Sequence, residues 1–106
     1  MDIKFDSQEL ADLYEGKKIK NPQFRSNPAL AKQYKKAIDK LRVITRIEQL
    51  YQFHGLNYEK LKGNRKGTSS VRINDQFRLL FEEVLNDEDP PVVTLLLLQE
   101  VSKHYE

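Results

Sequence analysis

Residues 70 to 81 constrain the fold more than any other stretch. They read Ser-Val-Arg-Ile-Asn-Asp-Gln-Phe-Arg-Leu-Leu-Phe. Val71 and Ile73 point one way, and Ser70, Arg72 and Asn74 the other. After Asn74-Asp75-Gln76, Phe77, Leu79 and Phe81 share one face and Arg78 takes the opposite one. A period of two over short runs, broken by polar turn residues, predicts two strands joined by a tight turn. The apolar positions go to a core and the arginines to the other face. Arg72 and Arg78 flank the turn at similar distances, so the hairpin should bring them near each other. Two like charges there repel. An anion between them would relieve the repulsion, and a bidentate guanidinium suits phosphate. The same spacing fits a plain solvated face of long cationic side chains equally well.

Charge around this hairpin is uneven. From Lys60 to Phe81 there are six cations and one acid, whereas from Glu82 to Asp89 there are five acids and no cation. The net charge of +2 hides that contrast. A basic patch attracts polyanions through counterion release. The acidic run reads as a solvated hairpin tip. At 106 residues, with 39% hydrophobic and 32% charged side chains, the chain is expected to form one domain over residues 1–106 around a single core. Its longest apolar run, Val92 to Leu98, is far short of the roughly 20 residues that span a bilayer and reads as a buried strand. The opening residues alternate charged and apolar side chains, unlike a signal peptide. The absence of cysteine excludes disulfides, thiol catalysis and cysteine-ligated zinc. Two histidines, His54 and His104, are too far apart to show metal-ligand spacing, so no metal or cofactor is expected. The expected setting is the cytoplasm, with no membrane contact.

Read in order, Met1 to Phe5 is a short strand. Asp6 with Glu9 caps a helix carrying Leu10, Leu13 and Tyr14, and Gly16 stops it. Lys17 to Asn27 has no period, is interrupted by Pro22 and reads as a loop. Asn27-Pro28 starts an amphipathic helix through Leu30, Tyr34, Ala37, Ile38 and Leu41, with lysines on its far side. Thr45 with Glu48 opens a short helix through Ile47, Leu50 and Tyr51. A strand near Tyr58 and Glu59, a glycine-bounded basic loop from Gly63 to Thr68, the hairpin, a turn at Pro90-Pro91 and a long strand from Val92 to Val101 complete the chain. The predicted class is α+β: helices on one face of a twisted, mainly antiparallel sheet of four to five strands, with the other face open.

The run Leu61-Lys62-Gly63-Asn64-Arg65-Lys66-Gly67, followed by Ser70 to Phe81, resembles the central signature of the RelE/ParE superfamily of toxins and is most similar to its HigB-like branch. The dense match covers about twenty residues, and the order of elements extends it over most of the chain. The resemblance implies a RelE-like fold and a toxin of a type II toxin–antitoxin system. It further implies a ribosome-dependent mRNA endoribonuclease acting at the decoding site, against 16S rRNA. The implied partner is a cognate antitoxin, a HigA-like helix-turn-helix protein, in a toxin–antitoxin hetero-oligomer. Members differ in target. A ParE-like inhibitor of DNA gyrase and a non-catalytic RNA- or partner-binding module on the same fold stay open as alternatives.

RNA can be cut without metal when its 2′-hydroxyl attacks the adjacent phosphorus. That chemistry needs a base, an acid for the leaving 5′ oxygen, and cations on the phosphorane. Glu59 is the candidate base. YoeB-type toxins carry a catalytic glutamate in a similar Glu-x-Leu-Lys pattern, where HigB proteins usually have histidine. A salt bridge to Lys62 or Arg78 is the structural alternative. His104 is the candidate acid with Tyr105 beside it, since histidine titrates near neutrality and tyrosine can stack on a base. The ending Lys103-His104-Tyr105-Glu106 is closer to the YoeB pattern than to the HigB one. A frayed terminal histidine is the plainer account. Arg78, and after it Arg72, match arginines of the family motif and are the candidates for stabilising phosphate. Lys62, Arg65, Lys66 and Lys103 are candidates for tracking the RNA backbone. His54 reads as a loop or helix-end cation.

Overall fold

The computed structural model describes residues 1–65 and 67–103. The helical half comes first. After β1 (Asp2–Phe5), α1 (Gln8–Tyr14) is capped by Ser7, whose Oγ accepts from the Leu10 amide at 3.2 Å. Asp6 and Ser7 are both good caps, and the second takes the position that the sequence reading gave to the first. Gly16 follows the helix with a φ of +78°, which only glycine adopts without strain. The stretch expected to be a loop contains one helical turn, α2 (Pro22–Arg25). Asn21 Oδ1 accepts from the Gln23 amide at 3.0 Å, so Pro22 opens this turn rather than interrupting the chain.

The long helix α3 (Pro28–Val43) starts at Asn27-Pro28 as expected, and Asn27 Oδ1 accepts from the Leu30 amide at 3.2 Å. Its buried face is Leu30, Tyr34, Ala37, Ile38 and Leu41. The Tyr34 hydroxyl donates to the Leu10 carbonyl at 2.8 Å, tying α3 to α1, and burial pushes its pKa far above the ordinary value. The Tyr14 hydroxyl donates to Asp39 at 2.6 Å, which with Lys35 holds that carboxyl below its usual value. A 3-10 segment, Ile47–Gln52, follows. Gln49 Oε1 accepts from the amides of Thr45 at 2.7 Å and Arg46 at 3.2 Å, so Gln49 and not Glu48 closes this cap.

The later strands are β2 (Glu59–Lys60), β3 (Thr68–Arg72), β4 (Phe77–Leu85) and β5 (Val93–Lys103). Among the described residues, the five strands form one sheet in the order β1-β5-β4-β3-β2. β1 runs parallel to β5, and all other pairs are antiparallel. The core lies between the helices and one face of the sheet. It includes Val71, Ile73, Phe77, Leu79, Phe81, Leu96 and Leu98. Full burial of a side chain such as Leu79 or Phe81 contributes roughly 1.5–3 kcal/mol. An exposed ion pair contributes about 0–1 kcal/mol. The core, not the many surface charges, therefore holds the helices to the sheet. The fold is the α+β arrangement that the sequence predicts, with helices on one face of a mainly antiparallel sheet. Among the described residues, no helix is long and apolar enough to cross a membrane.

The acidic run departs from expectation. β4 extends through Leu85, so Glu82 and Glu83 belong to the strand rather than to a solvated tip. Glu83 retains only 12% side-chain exposure and accepts from the hydroxyls of Tyr58 and, at 2.5 Å, Ser69. Lys60 Nζ stands 4.0 Å away. Burial, and then the hydrogen bond to this carboxylate, push the Tyr58 pKa upward.

Candidate active site

The face away from the core carries the polar site. Strand pairing stacks its side chains in rows. Glu59 on β2 is opposite Ser70, Ser70 opposite Leu80, and Leu80 opposite Glu100. In the next row Arg72 is opposite Arg78, and Arg78 opposite Ser102. The hairpin therefore sets the two arginines side by side, as the alternation predicts. Leu80 is buried yet lies outside the core cluster, and Ser70 is fully buried. These two form the floor of the face.

Each arginine meets its own carboxylate. Arg72 is bonded to Asp75, three residues on in the turn. Arg78 Nη1 lies 4.0 Å from Glu59 Oε1. The Arg78 side chain is only 16% exposed, whereas Glu59 is 57% exposed. A mostly buried guanidinium thus faces an exposed carboxylate. Arg65, at the end of the 3-10 turn Gly63–Arg65, reaches across to Glu100 of β5 at 2.5 Å. Among the described residues, these three arginine–carboxylate pairs lie on this face, and Arg78 is the least exposed of the three arginines. Such an array can hold a phosphate group by charge-assisted hydrogen bonds while keeping an exposed carboxylate beside it.

The other candidates divide. Lys62 is exposed in the basic loop. Lys103 is exposed and pairs with Phe77, which puts it in a row of the core face and not in the arginine row. Lys66, His104 and Tyr105 lie outside the described residues. His54 sits in a 3-10 turn, His54–Leu56, at the end of the helical half and is exposed.

Alternation placed Ser70 on this face with Arg72, but it did not single out Glu100. A register shift in the β4–β5 pairing explains the miss: Leu80 pairs with Glu100 but Phe81 with Leu98. The extra residue turns Glu100 to the open face, where strict alternation would place it with Leu98 on the core side. The same shift carries Lys103 away from the arginines. A lone acid inside an apolar run was the only signal available. Among the described residues, the Ser70 Oγ has no hydrogen-bond partner.

A family model described as the RelE-like toxin of type II toxin–antitoxin system HigB matches residues 3–94. Among solved structures, the chain is similar to a YoeB/ParE toxin from Agrobacterium tumefaciens, with 18% identity over 99% of this chain and 100% of that chain, at a TM-score of 0.51. It is similar to YoeB from Staphylococcus aureus in its dimer, with 24% identity, 99% and 98% coverage and a TM-score of 0.53. In the YoeB–YefM complex from Staphylococcus aureus the identity is 25%, the coverage 99% and 98%, and the TM-score 0.51. No curated protein matches the sequence.

Proposed function

The chain belongs to the HigB-like family of RelE-like toxins of type II toxin–antitoxin systems, and on that premise we propose that it is a ribosome-dependent mRNA endoribonuclease that stops translation by cutting the message without a metal. The observation that carries this proposal is the pair Arg78 and Glu59. A mostly buried guanidinium and an exposed carboxylate stand 4.0 Å apart on the uncovered face of the sheet.

In this mechanism RNA lies over the open face. The scissile phosphate displaces Glu59 from Arg78 and takes the guanidinium as a bidentate partner. Glu59, freed and solvated, removes the 2′-hydroxyl proton, and the oxygen attacks phosphorus. The negative charge that grows on the phosphorane meets Arg78, already held in place. One preorganised donor of this kind contributes about 10²–10³-fold. General base catalysis by Glu59 contributes roughly 10²–10⁴-fold. His104 protonates the departing 5′ oxygen, and Tyr105 stacks on a neighbouring base. Arg72 and Arg65 hold flanking phosphates, with Lys62 and Lys66 following the backbone in the basic loop. The gyrase alternative has no use for a carboxylate beside the arginine, and the Arg78–Glu59 pair therefore favours the nuclease.

The partner we propose is a cognate antitoxin of the HigA-like helix-turn-helix type, joined to the toxin in a hetero-oligomer in the cytoplasm. The YoeB relative from Staphylococcus aureus is found in complex with YefM. The functional proposal is tested by mapping 5′ ends in bacteria expressing the protein, on a translated reporter and on the same reporter without its start codon. New ends on the translated message alone are expected. Growth arrest with intact message would overturn the proposal.

A further inference from the structure

At the β2 edge, where the helical half turns into the sheet, a cleft of about 260 Å³ is lined by Leu50, Tyr51, Phe53, His54, Asn57 and Tyr58. Tyr51 is 58% exposed, although its ring could bury a large apolar area. The ring is nevertheless fixed. It packs edge-to-face on Tyr58 with centroids 4.9 Å apart. Tyr58 is itself buried, stacks with Phe81 at 6.3 Å and is anchored through its hydroxyl to Glu83. A rigid aromatic platform therefore stands open to water at the rim of the core.

One polar residue of the cleft and one beyond it add to this platform. Asn57 is the one non-glycine residue with positive φ among the described residues, at +46°. Asparagine tolerates this region better than most side chains. The bend sends the chain from the cleft directly into β2, where Lys60 is opposite Ser69 and stands 4.0 Å from Glu83, the carboxylate that anchors Tyr58, while Glu59 faces the arginines. Lys60 keeps 68% side-chain exposure. An open aromatic ring, an amide and an exposed ammonium are the parts of a single-strand RNA contact.

We propose that this cleft holds an unpaired nucleobase of the RNA strand as it leaves the open face over the β2 edge. Tyr51 stacks on the base, the Asn57 amide hydrogen-bonds its edge, and Lys60 meets the adjoining phosphate. The cleft is smaller than the roughly 300–1,000 Å³ typical of drug-sized sites, which suits one ring system. β2 is only two residues long, so the strand has little sheet to cross between Glu59 and the cleft. The assignment rests on the ribonuclease proposal for the substrate, but its geometry is separate from the catalytic face.

The test uses purified protein and single-stranded RNA hexamers, each with 2-aminopurine at one position. Wild type should quench fluorescence at one position. Tyr51→Ala should abolish that quench and weaken binding about tenfold, and Tyr51→Phe should restore both. Asn57→Gly keeps the left-handed backbone while removing the amide, and should leave the quench but reduce discrimination between bases. A thermal melt of each variant checks folding. No hexamer binding by wild type, or equal quench and affinity in folded Tyr51→Ala, would overturn the proposal. So would normal RNA binding by Tyr51→Ala with loss of the antitoxin complex, which would assign the cleft to a protein partner. If the quench behaves as stated but translated messages stay intact in cells, the nuclease proposal fails and the base site stands. If messages are cut but Tyr51→Ala changes neither quench nor cut position, the reverse holds.

Discussion

Arg72 and Arg78 stand directly opposite each other on β3 and β4, yet each guanidinium is matched by a different carboxylate, Asp75 in the turn and Glu59 on the edge strand. Opposed like charges destabilise a ladder. Dividing them between two acids lets both stay on one face with no anion bound. Both acids are open to water, at 91% and 57% exposure, so a phosphate can displace them at little cost.

Arg72→Ala should therefore leave stability within about 0.5 kcal/mol of wild type, because the lost pair with Asp75 is offset by relief of the opposed charges. RNA binding should weaken, and the slope of log affinity against log salt should fall by about 0.7, one phosphate contact to a single strand. Urea melts and a salt titration of RNA binding check the two parts. An unchanged salt slope would remove Arg72 from the phosphate contacts.

Ser70 is fully buried on the open face, and its hydroxyl has no hydrogen-bond partner among the described residues. A buried unsatisfied hydroxyl costs about 1–3 kcal/mol, so Ser70→Ala should raise unfolding free energy by roughly 1 kcal/mol. Equilibrium denaturation measures it. A fall in stability would mean that the hydroxyl is satisfied in solution.

Tyr34 and Tyr58 have pKa values raised by burial, and in Tyr58 also by the Glu83 carboxylate. A raised folded-state value means that the stability is complete below the unfolded tyrosine value near 10 and is lost as pH rises from there through the higher folded-state values. The protein should resist unfolding to about pH 10 and then weaken steeply. Tyr58→Phe should make the alkaline decline shallower. At neutral pH it should cost about 1–3 kcal/mol, because the mostly buried Glu83 loses a donor. A pH series of denaturant melts on both proteins decides this.

Much of the fold was legible because its signals were local and periodic. Asn27-Pro28, the hairpin alternation and the apolar run of β5 each specify their element without help from distant contacts. The misplaced features turned on choices between near-equal neighbours. Ser7 against Asp6 as a cap, Gln49 against Glu48 as a cap closure, and Pro22 as opener against breaker differ little in local preference. The acidic run misled for another reason. Charge density suggests solvent, but Glu83 is drawn inward by the Tyr58 and Ser69 hydroxyls, which arrive from other strands and loops. In the site, the Arg72–Arg78 pairing followed from spacing alone. The place of Glu100, and the side on which Lys103 falls, depended on one bulged residue in β5. A single inserted residue inverts every later side chain, and nothing in the run Leu95 to Val101 marks where it occurs.

The central claim is that Arg78 stabilises charge on the phosphate being cut. The most direct measurement is the single-turnover rate of mRNA cleavage on programmed ribosomes by wild type and Arg78→Ala, with a thermal melt of each. A loss of about 10²–10³-fold in rate with a preserved melting transition is the predicted result. Cleavage at the wild-type rate by a folded Arg78→Ala protein would contradict it.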